Sequence, residues 1–312
     1  MNSANHAVEF SKDDFQVVGK NLKDSQQIIR PSMTYWQDAW RRLKMNKLAM
    51  LSLIILCLVS IMVLVGPYMT KYNYFEQYIE KTNFKPMTEG HYFGTDSLGR
   101  DLFARAWRGG RISLLIGIVV AFVSVIVGVI YGGVAGYYGG KVDNIMMRIV
   151  DVMLTIPAML VNILLLIVLD PGVTTIIIAF SITSWLGMAR LVRGQVLQLK
   201  EQEFILAART LGANTSRIIM KHLIPNTLGP IIVDMTLTIP SAIFGEAFLS
   251  YIGLGVRPPN ASWGILANDG ARVMRFYPYQ LIIPAILISI TMLSFNLFGD
   301  GLRDALDPRL RK

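Results

Sequence analysis

The sequence holds one cysteine, Cys57, and it lies inside an apolar run. A disulfide within the chain and a cysteine metal centre are therefore both excluded. Histidine is nearly as scarce. His6, His91 and His222 are far apart and no HExxH pair occurs, so the helix-borne zinc hydrolase arrangement is missing. Charge is thin as well: only 16% of the 312 residues are charged, against about a quarter in soluble domains. No segment alternates with the two-residue period of a barrel strand. The polar first 47 residues contain no short apolar core followed by a cleavage site, so no cleaved signal peptide is expected.

A phosphate loop is absent too, although one stretch imitates it. "GGVAGYYGGKVD", Gly132 to Asp143, contains Gly140-Lys141. A Walker loop needs glycine, four residues, glycine, lysine, and then serine or threonine. Here Ala135 stands at the first glycine and Val142 follows the lysine. ATP binding by that route is excluded, no hydrolytic constellation is found, and the chain reads as a non-enzyme.

What is present is apolar length. Hydrophobic residues make up 53% of the chain. About 20 of them in a row cross the hydrocarbon of a bilayer as a helix. Uncharged runs cover Leu48–Thr70, Ile112–Gly140, Val152–Leu169, Pro171–Ala189 and Phe276–Gly299. A sixth run, Leu228–Ile252, is interrupted only by Asp234 and Glu246. Backbone groups in lipid must bond within their own segment, so six transmembrane helices in an all-α membrane protein are expected. An even count puts both termini on one side. The net charge of +9 is distributed unequally: with the N-terminus inside, inner segments hold 20 basic residues and outer loops 10. That excess favours cytoplasmic termini. Nucleic-acid binding is a poor reading of the charge without a basic soluble domain.

The resulting plan has a mobile tail at 1–33, an amphipathic helix at 34–47 and a six-helix membrane domain at 48–312. The domain carries outer loops at 68–111 and 253–280 and an inner loop at 190–227. In "TYWQDAWRRLKMNK", Thr34 and Gln37 have capping-box spacing. Trp36, Trp40 and Leu43 then share one face, which suits a helix lying in the membrane interface. Gly128, Gly132, Gly136 and Gly140 form a seam for close helix packing. Pro157 and Pro240 are expected to kink or loosen their spans.

Two acids in a span are costly and usually face a bundle interior or a watery path. Asp234 and Glu246 either line a translocation path or pair with interior polar groups. Twelve residues apart, they sit about 18 Å apart along a helix and cannot share one site.

The polar island "EFILAARTLGANTSRIIMKHLIPN", Glu203 to Asn226, is different again. Glu203 to Leu211 reads as a short helix and Gly212 as its left-handed terminator. Asn214 or Thr215 caps a second helix that is expected to stop at Pro225. Ala207 and Ala208 are small, next to the break, and let another surface come close. Arg209, Arg217 and Lys221 keep the segment in water. It is either a lever for a partner or an ordinary helical hairpin.

This stretch resembles the loop of ABC-importer permeases that reads Glu-Ala-Ala, three residues, Gly, nine residues, Ile, one residue, Leu-Pro. Ala207, Ala208, Gly212 and Pro225 fall in register. Leu206, His222 and Ile224 depart from it, and the acid lies three residues earlier at Glu203. "FGTDSLGRDLFARAWRGGRISLLIG" (Phe93–Gly117), "EAFLSYIGLGVRPPNASWG" (Glu246–Gly264) and "FNLFGDGLRDALDPRLR" (Phe295–Arg311) are similar to C-type subunits of oligopeptide and dipeptide importers. The resemblance implies a type I importer permease fold in a bacterial cell membrane. It also implies a second, B-type permease, two cytoplasmic ATPases holding the ATP and Mg, and an external peptide-binding protein. No cofactor is implied on this chain. Glu203, Ala207, Ala208, Arg209, Leu211, Gly212, Arg217 and Pro225 would form the ATPase-coupling element. A Gly94–Arg111 helix and the Arg257–Pro278 loop would face the binding protein. "TYWQDAWRRLKMNKLA" looks like oligopeptide-type members. Nickel-complex or other small-solute importers, a self-sufficient transporter and a non-transporting scaffold are the alternatives.

Overall fold

Apolar helices without water as a competitor satisfy their own backbone, and the chain does this almost throughout. The computed structural model describes residues 34–307, so the expected tail at 1–33 and the last four residues of the C-terminal motif lie outside it. Among the described residues there is no strand, only two isolated bridges in one loop. The helices are α1 (Tyr35–Met45), α2 (Lys47–Val65), α3 (Leu102–Tyr138), α4 (Gly140–Thr155), α5 (Ala158–Val168), α6 (Val173–Leu199), α7 (Glu203–Thr210), α8 (Thr215–Arg217), α9 (Ile224–Tyr251), α10 (Trp263–Val273) and α11 (Tyr279–Leu306).

Five described helical segments are long and apolar enough to cross a membrane. The expected third span differs. It is the pair α4 and α5, bent by 78° at Ile156-Pro157. Proline cannot donate the hydrogen bond that would continue α4, and it pushes Ile156 into an extended conformation. Counting that pair as one span gives six.

From Ala39 onward the helices form one bundle. α3 and α6 cross closely, and glycine permits it. A Cβ on Gly132 would strike the Ala189 carbonyl oxygen, and one on Gly136 would lie 2.9 Å from the Arg193 oxygen. Gly128 meets Met188 and Ala189 in the same way. The fourth member of the expected seam, Gly140, has open space around it and lies past the end of α3, which stops at Tyr138 with Gly139 as its cap. Val59, Trp107, Leu114, Ile243 and Trp263 form one core, and Ile116, Leu166, Ile176, Phe180 and Leu249 another. The outward faces stay apolar, for example Leu51, Ile54, Leu58, Ile61 and Leu64 along α2. That is the surface a lipid solvent favours.

The expected Gly94–Arg111 helix does not form as such. Residues 94–101 are an irregular loop, and the helix starts at Leu102 and runs unbroken into the span. Gly94 and Gly99 have φ of +77° and +73°, and a side chain at either would collide with the backbone of Phe84 or Tyr78. Asp101 then caps α3 by accepting the Ala104 N–H at 2.8 Å. Its other oxygen bonds His91 Nδ1 at 2.8 Å, and burial raises its pKa. Asp96 takes the Leu98 and Arg100 N–H groups at 2.9 Å and binds Arg100 and Arg105. Asp269 of α10 accepts from the same two arginines. The "GTDSLGRDLFAR" stretch thus folds its loop onto α3 and α10.

Candidate functional site

The polar island forms a rigid elbow at the end of the bundle where α3 and α6 finish. α7 closes as a Schellman turn: the Ala213 N–H donates to Ala208 O and the Gly212 N–H to Arg209 O, both at 3.0 Å. Gly212 takes φ +80° with nothing within 4 Å of where a Cβ would sit, so the conformation is what requires glycine here. The Asn214 side chain caps the next turn, accepting the Arg217 N–H at 2.9 Å. Glu203 lies in the first turn of α7, where an acid complements the helix dipole.

One side of the elbow is anchored. Ile205, Ile218 and Leu223 are fully buried among Val129, Met188, Val192 and Val196. Arg209 stacks over Tyr137 of α3 at 5.9 Å. The other side faces outward and is apolar. Leu211 is 87% exposed, Met220 64% and Leu206 59%. Ala207, Arg209, Arg217 and Pro225 are also exposed, and Ala208 is half-buried.

The second helix does not stop at Pro225. It passes through a π-turn, Ile218–Leu223, into α9, and the segment Thr215–Tyr251 is helical throughout. The extra residue in the wide turn lets the Ile224 N–H reach Ile219 O. Pro225 then sits where α9 begins, in a position that tolerates a missing donor. The part of the elbow after the Gly212 break is therefore one continuous helix with the fifth span.

Asp234 and Glu246 both lie on α9 and do not meet. Glu246 is wholly buried. It accepts from Ser113 Oγ of α3 at 2.8 Å and from Ser250 Oγ at 2.7 Å, with Ser262 Oγ 3.5 Å beyond. Ser113 also receives the Trp263 N–H at 3.3 Å. In this arrangement Glu246 ties α3, α9 and the start of α10 together. The Asp234 carboxylate is half-buried and accepts no hydrogen bond from the described residues.

Sequence reasoning passed over the groups that fasten the bent third span. Arg193 of α6 grips Asp143 of α4 with two bonds of 2.6 Å. Arg190 pairs with Asp151 one turn along. Arg190, Arg193 and Asp151, with Asn144, Met147 and Arg148, line a cavity of about 710 Å³ between the two helices. The available signal was charge at the margins of two uncharged runs, read only as their ends. No cluster of three His, Cys, Asp or Glu residues suited to a metal occurs among the described residues.

Comparisons with known proteins agree with this architecture. A family described as "Binding-protein-dependent transport system inner membrane component" matches residues 124–312. A second, described as the "N-terminal TM domain of oligopeptide transport permease C", matches residues 34–86. The dipeptide transport system permease protein DppC of Bacillus subtilis is 53% identical over 93% of this chain and 91% of that protein. The oligopeptide transport system permease protein OppC of the same organism is 51% identical over 96% and 98%. Among solved structures, the MetNI methionine ABC transporter in an inward-facing form aligns with a TM-score of 0.53 at 18% identity, covering 65% of this chain and 96% of that one.

Proposed function

The chain belongs to the binding-protein-dependent transport system inner membrane components, and on that premise we propose that it forms half of a peptide path through the membrane, driven by ATPases docked on its elbow. It is a multi-pass cell-membrane protein and a transport permease component, not itself an ATPase. The partners are a second, B-type permease, two cytoplasmic ATPases carrying ATP and Mg, and an external peptide-binding protein. No cofactor sits on this chain. Residues 190–227 form the inner loop, and 68–111 and 253–280 the outer ones. Both termini are cytoplasmic, which the 20-to-10 split of basic residues supports. In a Cys57→Ala/Ser216→Cys variant the single thiol should label only from the cytoplasmic face. Labelling from outside reverses the topology.

The observation that carries the coupling role is the elbow's outer edge. Leu211 and Leu206 stand exposed on a segment whose opposite side is fixed by the fully buried Ile205. Contiguous apolar side chains in water mark a surface that a partner covers. Glu203, Ala207, Ala208, Arg209, Leu211, Gly212, Arg217 and Pro225 make up the coupling element. Asp234, half-buried and without a partner, is the better candidate of the two acids for the path, and Glu246 serves it from behind by holding α3 against α9.

Oligopeptides are the favoured cargo, supported by the match of residues 34–86 to the oligopeptide permease C domain. Dipeptides are the second reading, supported by the dipeptide permease at 53% identity. The test is uptake of a labelled dipeptide and a labelled pentapeptide by proteoliposomes containing all five components. ATP-driven uptake is expected, with the pentapeptide preferred. Leu211→Asp should abolish it and release the ATPases while leaving the chain folded, because Leu211 is 87% exposed. No uptake of either peptide would sink the transport reading, and full uptake by Leu211→Asp would sink the docking surface.

A further inference from the structure

A second concave site lies where the first span ends. Lys71, Arg108 and Arg111 surround a cavity of about 490 Å³ together with Tyr68, Tyr72 and Tyr74, and no acidic residue lines it. Each cation lies against a ring. Lys71 sits 5.2 Å from the Tyr72 centroid, Arg108 5.2 Å from Tyr74 and Arg111 5.2 Å from Tyr68. Arg111 is fixed by two carbonyls at the end of α2, Val63 O at 2.7 Å and Leu64 O at 2.6 Å. Arg108 Nε is buried and has no hydrogen-bond partner. The nearest acid along the chain, Glu76, is engaged elsewhere, accepting from Tyr78 at 2.7 Å.

The depth of the cavity narrows what fills it. The first span, Lys47–Tyr68, has 22 residues. At 1.5 Å per residue it is about 33 Å long, close to the ~30 Å of hydrocarbon in a bilayer. The cavity begins at its last residues. From α3 it is reached by Arg108 and Arg111, which directly precede the uncharged run starting at Ile112. Three cations and a set of tyrosines are therefore collected at headgroup level, where aromatic residues gather. Tyr68, Met69 and Phe75 stand exposed around it, an apolar rim continuous with the outward stripe of α2. Unbalanced positive charge in a partly desolvated site calls for an anion. The anion a bilayer supplies at that depth is a phosphodiester. The apolar rim suits its glycerol and acyl end better than it suits the acidic surface of a protein docking from water.

We propose that this cavity binds the phosphate of an anionic phospholipid headgroup, anchoring the end of the first span against α3. The probe is phosphatidylglycerol, compared with phosphatidylcholine. The purified chain, with whatever subunits accompany it, is taken from nanodiscs of each lipid and bound lipid is counted by native mass spectrometry. Phosphatidylglycerol should be retained over phosphatidylcholine. Lys71→Gln should lower that retention about fivefold, the effect of one basic residue at an anionic surface, and Lys71→Gln/Arg108→Gln should lower it further. Lys141→Gln/Arg275→Gln removes the same charge at exposed sites elsewhere and should change nothing. Equal retention of the two lipids, or a Lys71→Gln variant that behaves like the control, overturns the proposal. Binding of inorganic phosphate in detergent, with no preference for phosphatidylglycerol in nanodiscs, assigns the site to free phosphate and overturns the lipid. Lys71 is exposed, so that single variant carries the test even where the double variant fails to fold.

Discussion

Substituting alanine at Gly132 and at Gly133 should give opposite results, although the two glycines are adjacent in the same helix. A Cβ on Gly132 falls on the Ala189 carbonyl oxygen, with the Ala189 carbon and the Arg193 nitrogen each 3.0 Å away. All three are backbone atoms of α6, and none can rotate aside. The helices must separate, and overpacking of this kind costs about 1–3 kcal/mol. At Gly133 the nearest atom is the Ile219 Cγ2 methyl, 3.9 Å away, an ordinary contact. There alanine brings only the helix-propensity gain of up to ~1 kcal/mol, which both variants share. The difference between them is therefore about 1–3 kcal/mol. In a chain of this size each kcal/mol moves the melting temperature by about 2–4 °C. The assay is thermal unfolding of the two purified variants under one detergent condition, followed by circular dichroism. Gly132→Ala should melt several degrees below Gly133→Ala. If it melts at the same temperature or above, the close α3–α6 approach is not what holds this part of the bundle, and the seam argument fails.

Two further outcomes follow from the elbow and the bent span. Gly212→Val should impair ATP-driven uptake because a β-branched residue resists φ of +80°. Gly212→Asn should retain more activity, since asparagine tolerates that region, and equal uptake by both variants would remove the glycine break from the mechanism. Arg193→Ala strands Asp143, whose side chain is only 8% exposed, so the single variant should lose about 1–3 kcal/mol. Asp143→Ala/Arg193→Ala should lose less, as measured by the same melting assay, and a double variant worse than the single one refutes the stranded-charge account.

The features legible in the sequence were those whose cause is local. An uncharged run, a proline that removes a donor and a glycine beside an asparagine each act within one turn. Five spans, the break at Pro157 and the Gly212-Asn214 elbow follow from them. What escaped depends on residues far apart in the chain. Arg193 and Asp143 are 50 positions apart, and Ser113 and Glu246 are 133. Nothing in either neighbourhood names the other. The capping-box reading of Thr34 and Gln37 succeeded for the converse reason: the bond from the Thr34 N–H to Gln37 Oε1, 3.0 Å, spans three residues.

Pro225 shows how a local rule fails when its neighbours change the geometry. A proline ends a regular helix because a hydrogen bond is lost and a ring meets the carbonyl four residues back. The six-residue π-turn ahead of it widens that stretch, and the helix carries on to Tyr251. The sequence clue was already present, since "IIMKHL" contains no residue that ends a helix before the proline arrives. The consequence is mechanical. A hairpin that stopped at Pro225 would leave a joint between this segment and the span. The helix that begins at Thr215, just past the Gly212 turn, has no such joint at Pro225, and the same helix carries Asp234 and the serine-held Glu246.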